Sequence, residues 1–337
     1  MLYLFKFSFI IIRFGLRLVF VRKKAKQHAI AYLRKMEDKL NGKFDEATFK
    51  KVVKSHSVFL AIVNDAFTLL HGRTTNADEQ ERSINYFICS SIFDNFFDEK
   101  LLAVDQIESI TFQPKQFTPS SFDEKAFLRA HLFLLDGMKD TKDYFVVLRK
   151  EFDAQSASMK QFDKAISNQE IQDITFEKGG NAVLMCRYYL DVQPTKEEEE
   201  CWYQLGTMIQ LSNDLFDIYK DLQHNNQTLA VRYTDAFAME QLYLKQVNAM
   251  KNNIETLPYP GKCKRTFSIS MAATYALGLM GIDQLKRLQG NETQLPSLRS
   301  LPREALIIDM EKPVNIWRWI KFVYHFGKLS HSSQQVS

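Results

Sequence analysis

Ile84-Asn-Tyr-Phe-Ile-Cys-Ser-Ser-Ile-Phe-Asp-Asn-Phe-Phe-Asp98 is an apolar helical pattern interrupted by carboxylates, and its reading decides the fold. Ile84, Tyr86, Phe87, Ile88, Ile92 and Phe93 lead into Asp94 and Asp98, which stand four apart and share one face of a helix. A second stretch, Asn213-Asp-Leu-Phe-Asp-Ile-Tyr-Lys-Asp221, follows the apolar Leu205, Met208, Ile209 and Leu211. It sets Asn213, Asp217 and Asp221 at the same spacing, stacked over two turns. Like charges so placed repel by a few tenths of a kcal/mol unless something neutralises them. One such motif alone is more often a solvated face than a metal site. Carboxylates that interrupt apolar helices, however, more often line an interior cavity, and two interruptions strengthen each other. Oxygen ligands without His or Cys suit Mg²⁺, which bridges a few carboxylates to substrate phosphates. The pattern therefore predicts two facing metal-binding helices that hold a diphosphate.

The chain as a whole sets the frame. Its 337 residues contain only 12 Gly and 8 Pro, and long helical periodicities run without a convincing strand series. This reads as an all-α, single-domain helical bundle over residues 25–330, preceded by a basic, apolar arm over 1–24. Cys89, Cys186, Cys201 and Cys263 are scattered and fit a reduced, cytoplasmic protein. Net charge is +4, yet residues 1–30 carry seven cations (Lys6, Arg13, Arg17, Arg22, Lys23, Lys24, Lys26) and no acid. The remainder is net negative, which leaves no general basic surface for nucleic acid. Arg13 and Arg17 break the arm's apolar run, so it is a poor membrane span. Two readings of it stay open: a peripheral amphipathic helix on an anionic membrane, or a first core helix.

Along the chain, helices are expected at 25–42, 45–72 and 78–100, with Asn76 or Asp78 as N-cap of the third. Residues 105–122, with Pro114 and Pro119, read as a long loop. Further helices are expected at 123–138, 141–167 and 169–190, then from Lys196 through the second motif to His224. Glu197 to Glu200 suit that helix's first turn through its dipole. The last helices fall at 231–255, 263–289 and 313–327.

The two motifs resemble those of the class I terpenoid (isoprenoid) synthases, all-α enzymes that ionise prenyl diphosphates. Asp94-Asn-Phe-Phe-Asp98 is similar to their first Asp-rich signature, with Asn in second place. Asn213, Asp217 and Asp221 occupy the ligand places of the second cyclase signature, with Asp for its Ser and its Glu. The context Gln210-Leu-Ser-Asn-Asp-Leu-Phe-Asp217 also looks like the second motif of trans-prenyl diphosphate synthases. A closer resemblance is to the bacterial large-terpene, tetraprenyl-β-curcumene type synthases, through Phe93-Asp-Asn-Phe-Phe-Asp98 and the segment Phe176-Glu-Lys-Gly-Gly-Asn-Ala-Val-Leu184. The likeness spans roughly residues 75–285.

The resemblance implies three Mg²⁺ ions, held by Asp94 and Asp98 and by Asn213, Asp217 and Asp221, against a prenyl diphosphate. It implies Lys178, Arg187 and Lys220, with Arg232, as cations for the released diphosphate. It further implies Gly179 and Gly180 interrupting a helix beside the substrate, a cavity with Phe87 and Phe97, and a homodimer. Cys89 and Ser90, small and just before Asp94, would admit a long chain. The chain also departs from the family. No Gly-Lys-x-x-Arg-Pro segment precedes the first motif (Arg73 and Arg82 lack the pattern), and the C-terminal Arg-Tyr pair is missing as a pair. The leading expectation is a terpene synthase converting a long linear prenyl diphosphate. A prenyltransferase condensing isoprenoid diphosphates and a catalytically silent helical module binding lipid or protein are the alternatives.

Overall fold

The computed structural model describes residues 2–138 and 141–329. Every regular element among them is helical, and no strand occurs there. In chain order these are α1 (Leu2–Leu40), α2 (Glu46–Phe59), α3 (Asp65–Leu70), α4 (Ala77–Asp98) and α5 (Val104–Phe112). Next come α6 (Phe122–Asp136), α7 (Lys142–Ser158), α8 (Asn168–Met185), α9 (Lys196–Phe216) and α10 (Ile218–His224). The series ends with α11 (Leu229–Arg232), α12 (Ala236–Thr256), α13 (Gly261–Gln289), α14 (Arg303–Leu306) and α15 (Pro313–Phe326). A π turn, Leu60–Asn64, joins α2 to α3. The stretch Glu46–Leu70 is long and apolar enough to cross a membrane, but 67% of its most apolar window is buried in the protein.

Contacts divide the chain into two compact units, Ser8–Ser156 with Met185–Gln193, and Met1–Phe7 with Ala157–Leu184 and Pro194–Ser337. Each is described by itself. In the first, α1 runs unbroken past residue 24 and buries Ala25, Ala29, Leu33 and Met36. Helix α4 begins on a capping box: Asn76 accepts from the Glu79 amide, and Glu79 accepts from the Asn76 amide at 2.8 Å. The Glu79 carboxylate is wholly buried, yet it is held by both Nη atoms of Arg73, at 2.6 and 2.7 Å, and by the Asp191 amide at 2.6 Å. Burial alone would push its pKa up; Arg73 and these donors outweigh that and hold it below the usual range. From this start α4 packs against α2 and α6, burying Ile84, Ile88, Ile92 and Phe96 at every fourth position.

The loop expected over 105–122 is half helix. Ile107 and Ile110 are buried three apart on α5, and the Gln106 side chain accepts from the Ala103 amide to close its first turn. Pro114 and Pro119 act only beyond its end, which is why their signal hid it.

In the second unit α9 packs on α12 and α13, with Trp202, Leu205 and Met208 fully buried. Thr195 caps α9, and Glu197, Glu198 and Glu199 fill its first turn as expected. The helix expected to run to His224 breaks at Asp217, which has φ −97° and ψ 8° and ends α9 before α10 begins.

Gly179 and Gly180 do not interrupt a helix: α8 is continuous through them. Their missing side chains let α8 and α9 touch backbone to backbone. A Cβ on Gly179 would lie 2.6 Å from the Gly206 carbonyl oxygen, one on Gly206 would strike the Gly179 carbonyl, and one on Gly180 would strike the Tyr203 ring. The space a substrate would need beside these glycines is filled by α9. Gly206→Ala is expected to lower stability by about 2–3 kcal/mol through overpacking, overriding the roughly 1 kcal/mol that Ala gains over Gly in a helix. Gly15→Ala in α1, where nothing lies within 4 Å, is expected to be neutral or stabilising. Urea unfolding of both variants checks the pair.

Candidate functional site

In the first unit, Asp94 sits four-fifths of the way along α4 with its side chain 27% exposed, and its Oδ2 accepts from Lys51 Nζ at 2.7 Å. Asn95 donates to Thr48 Oγ1 at 2.8 Å, and Asp98 is exposed at the last residue of the helix. Asp94 also lines a cavity walled by the aromatic rings of Tyr86, Phe93, Phe127, Tyr144 and Tyr189. Its empty space is about 490 Å³ with the open mouth included, of which about 50 Å³ admits the centre of a water molecule. The part-exposed liners Ser90, Asp94 and Glu151 mark the open end; the others are buried.

Ser90 and Cys89 therefore form part of this wall. Phe87 and Phe97 do not line it. Phe87 packs on Phe59 and Tyr86, both at 5.0 Å, and Phe97 on Phe93 and Phe152 at 5.2 and 5.8 Å. Both are buried and belong to the packed aromatic core. Arg187 stacks its guanidinium 3.9 Å from the ring centre of Tyr188, which in turn meets Tyr144 edge-on at 5.5 Å.

Two polar liners carry no motif and were missed in the sequence. Glu151, on α7, shares the open end with Asp94. His131 is buried and bonded through Nε2 to the Thr111 carbonyl at 2.8 Å. Burial pushes its pKa down to about 4, against the opposing pull of that carbonyl, so the ring is neutral at pH 7 and Nε2–H is the donor.

In the second unit the central carboxylate is Asp214, not Asn213. Asn213 and Asp217 are exposed, while Asp214 is 5% exposed. Its Oδ1 accepts from Gln210 Nε2 at 2.9 Å, and its Oδ2 is buried with no hydrogen-bond partner. Burial pushes the Asp214 pKa up to about 7; the charge of Asp221 adds to this, and Gln210 and Lys178 oppose it. Asp221 is also buried and raised, by desolvation first, although Asn226 and Thr228 donate to it at 3.1 and 3.2 Å. The charges of Asp221 and Asp217 both act on Asp214, so the cluster closes around Asp214. In the sequence Asp214 stands beside Asn213, between the apolar Leu211 and Leu215.

Lys178, part-buried on α8, lies near enough to act on Asp214, and Lys220, exposed, acts on Asp221. Arg232 is spent elsewhere: it donates to Asn168 Oδ1 at 3.1 Å and to the Lys164 carbonyl at 3.2 Å. It lines a separate cavity with Lys164 and Arg299, whose empty space is about 930 Å³ with the open mouth included.

Among the described residues no three His, Cys, Asp or Glu side chains are grouped to hold a metal. Mg²⁺ needs no such cage, since it takes one or two carboxylates and completes its shell with water and phosphate oxygens. The donors here are all hard oxygens, and the partnerless Oδ2 of Asp214 is the kind of atom a cation would satisfy. At Asp94 a cation would have to displace Lys51.

The raised pKa of Asp214 has a stability sign. The folded state favours its protonated form, so its contribution is full below about pH 4, the unfolded pKa, and is lost as pH rises through about 7. Asp214→Asn is expected to remove that loss, gaining roughly 2–4 kcal/mol at pH 8 and little at pH 4. Urea unfolding at the two pH values measures it; an equal effect at both would contradict the burial of an unpaired carboxyl. The chain matches no family model and no curated protein sequence.

Proposed function

We propose that this protein is a Mg²⁺-dependent class I terpene synthase that ionises a linear prenyl diphosphate and turns the allylic cation into a terpene. The observation that carries the reading is the buried, partnerless Oδ2 of Asp214 within the cluster of Asp214, Asp217 and Asp221. A desolvated carboxylate with one oxygen left unpartnered is costly, and a functional cation is a physical reason for it to persist. The aromatic cavity beside Asp94 supports the same reading, because ring faces stabilise positive charge and a narrow wall excludes water.

Asp94 and Asp98 on α4, and Asp214, Asp217 and Asp221 with Asn213 beside them, would hold Mg²⁺. When bound, Mg²⁺ supplies Lewis-acid neutralisation of the diphosphate leaving group. Lys178 would donate to diphosphate oxygens. Tyr86, Phe93 and Phe127 would face the allylic chain.

One observation favours a second reading. Lys51 already balances Asp94, so this carboxylate is satisfied without metal, as a catalytically silent helical module would require.

The test is diphosphate release from C10 to C35 prenyl diphosphates with Mg²⁺. The wild type is expected to release it from one chain length, and Asp94→Ala and Asp214→Ala each to lose at least 100-fold, about 3 kcal/mol. Release only when isopentenyl diphosphate is added would assign a prenyltransferase. No release from any substrate by the folded protein would assign the silent module.

A further inference from the structure

We propose that α1 docks the protein on an anionic membrane surface through Phe9, Ile12, Leu16, Val19 and Phe20. These five are three and four apart, so they form one stripe along the helix. All face solvent, with exposures of 67, 62, 57, 64 and 69%. A helix that packs on one side and still exposes five large apolar side chains in a row on the other needs an explanation beyond scattered surface hydrophobics. The opposite side is fixed: Arg17 points inward to an ion pair with Asp65 at 2.7 Å, and Ala25 and Ala29 are buried farther along.

Charge identifies the occupant. Arg13, Arg22, Lys23, Lys24 and Lys26 are exposed at the flanks and end of the stripe, and no acidic residue precedes Glu37. An apolar band on a helix whose exposed charges around it are all cations complements a bilayer with anionic headgroups. It is a poor seat for a second copy, whose own band would bring the same cations face to face. Nor does it suit a span, since Phe9 to Phe20 rises only roughly 17 Å against about 30 Å of hydrocarbon. The helix therefore lies in the interface, with its aromatic and aliphatic side chains among the acyl chains and its cations at the phosphates. This inference does not depend on the synthase reading.

Flotation of the full-length protein with vesicles tests it. Binding is expected to vesicles of mixed phosphatidylglycerol and phosphatidylcholine at 0.1 M NaCl, at least tenfold weaker binding to phosphatidylcholine alone, and release at 0.5 M NaCl. Leu16→Glu is expected to abolish binding, and Arg13→Gln and Lys24→Gln each to weaken it roughly fivefold. All three side chains are exposed, and unchanged circular dichroism confirms an intact fold. Failure to float with anionic vesicles, equal binding to neutral ones, or unchanged binding by Leu16→Glu would each overturn the proposal. A dimer that Leu16→Glu dissolves, with no vesicle binding, would assign the stripe to a second copy instead.

Discussion

The close approach of α8 and α9 at Gly179 and Gly206 is the constraint on which the second acidic cluster depends. With no side chains between them, the two backbones touch, and residues one or four positions away are carried into register. Gln210 is one turn beyond Gly206 and reaches Asp214 one turn farther on. Lys178 is the neighbour of Gly179 and brings the opposing positive charge to the same carboxyl. A larger residue at either glycine would separate the helices, admit water to Asp214 and remove the desolvation that defines it. The glycines thus serve the site by packing, not by opening space for a ligand.

The other unit resolves the same problem, carboxylates on an apolar helix, differently. Glu79 is buried at the start of α4 but saturated by Arg73 and two backbone amides, so it is structural and its pKa falls. Asp94, toward the other end of α4, is part-exposed, paired with one flexible lysine and open to an aromatic cavity. The contrast separates a carboxylate that locks a helix from one that is available. Asp214 is a third case, buried and half satisfied, and it is the one whose environment has no structural rationale of its own.

Much of this was legible in the sequence. Period and capping residues gave the all-α class and placed Asn76, the Glu-rich start of α9 and most helix centres, because those depend on local hydrogen bonds and burial of one face. What sequence reasoning missed was decided by tertiary contacts. The break at Asp217 has no Gly or Pro to announce it. Helix α5 was masked by prolines that lie beyond its end. Asp214 was passed over because an i, i+4 template starting at Asn213 fitted the letters, whereas packing buries Asp214 and Asp221. Glu151 and His131 reach the cavity from helices with no motif, and only packing brings them there. Phe87 and Phe97, chosen as rings near the motif, proved to be core for the same reason.

The central claim of the proposed function is that each acidic cluster holds a divalent cation able to bind diphosphate. Titration calorimetry with inorganic diphosphate, with and without Mg²⁺, tests it most directly, because it needs neither the substrate nor the product. The account predicts saturable binding that requires Mg²⁺ and is weakened in Asp94→Asn and in Asp214→Asn. Binding that is absent, or equally strong without Mg²⁺ and in both variants, would contradict it.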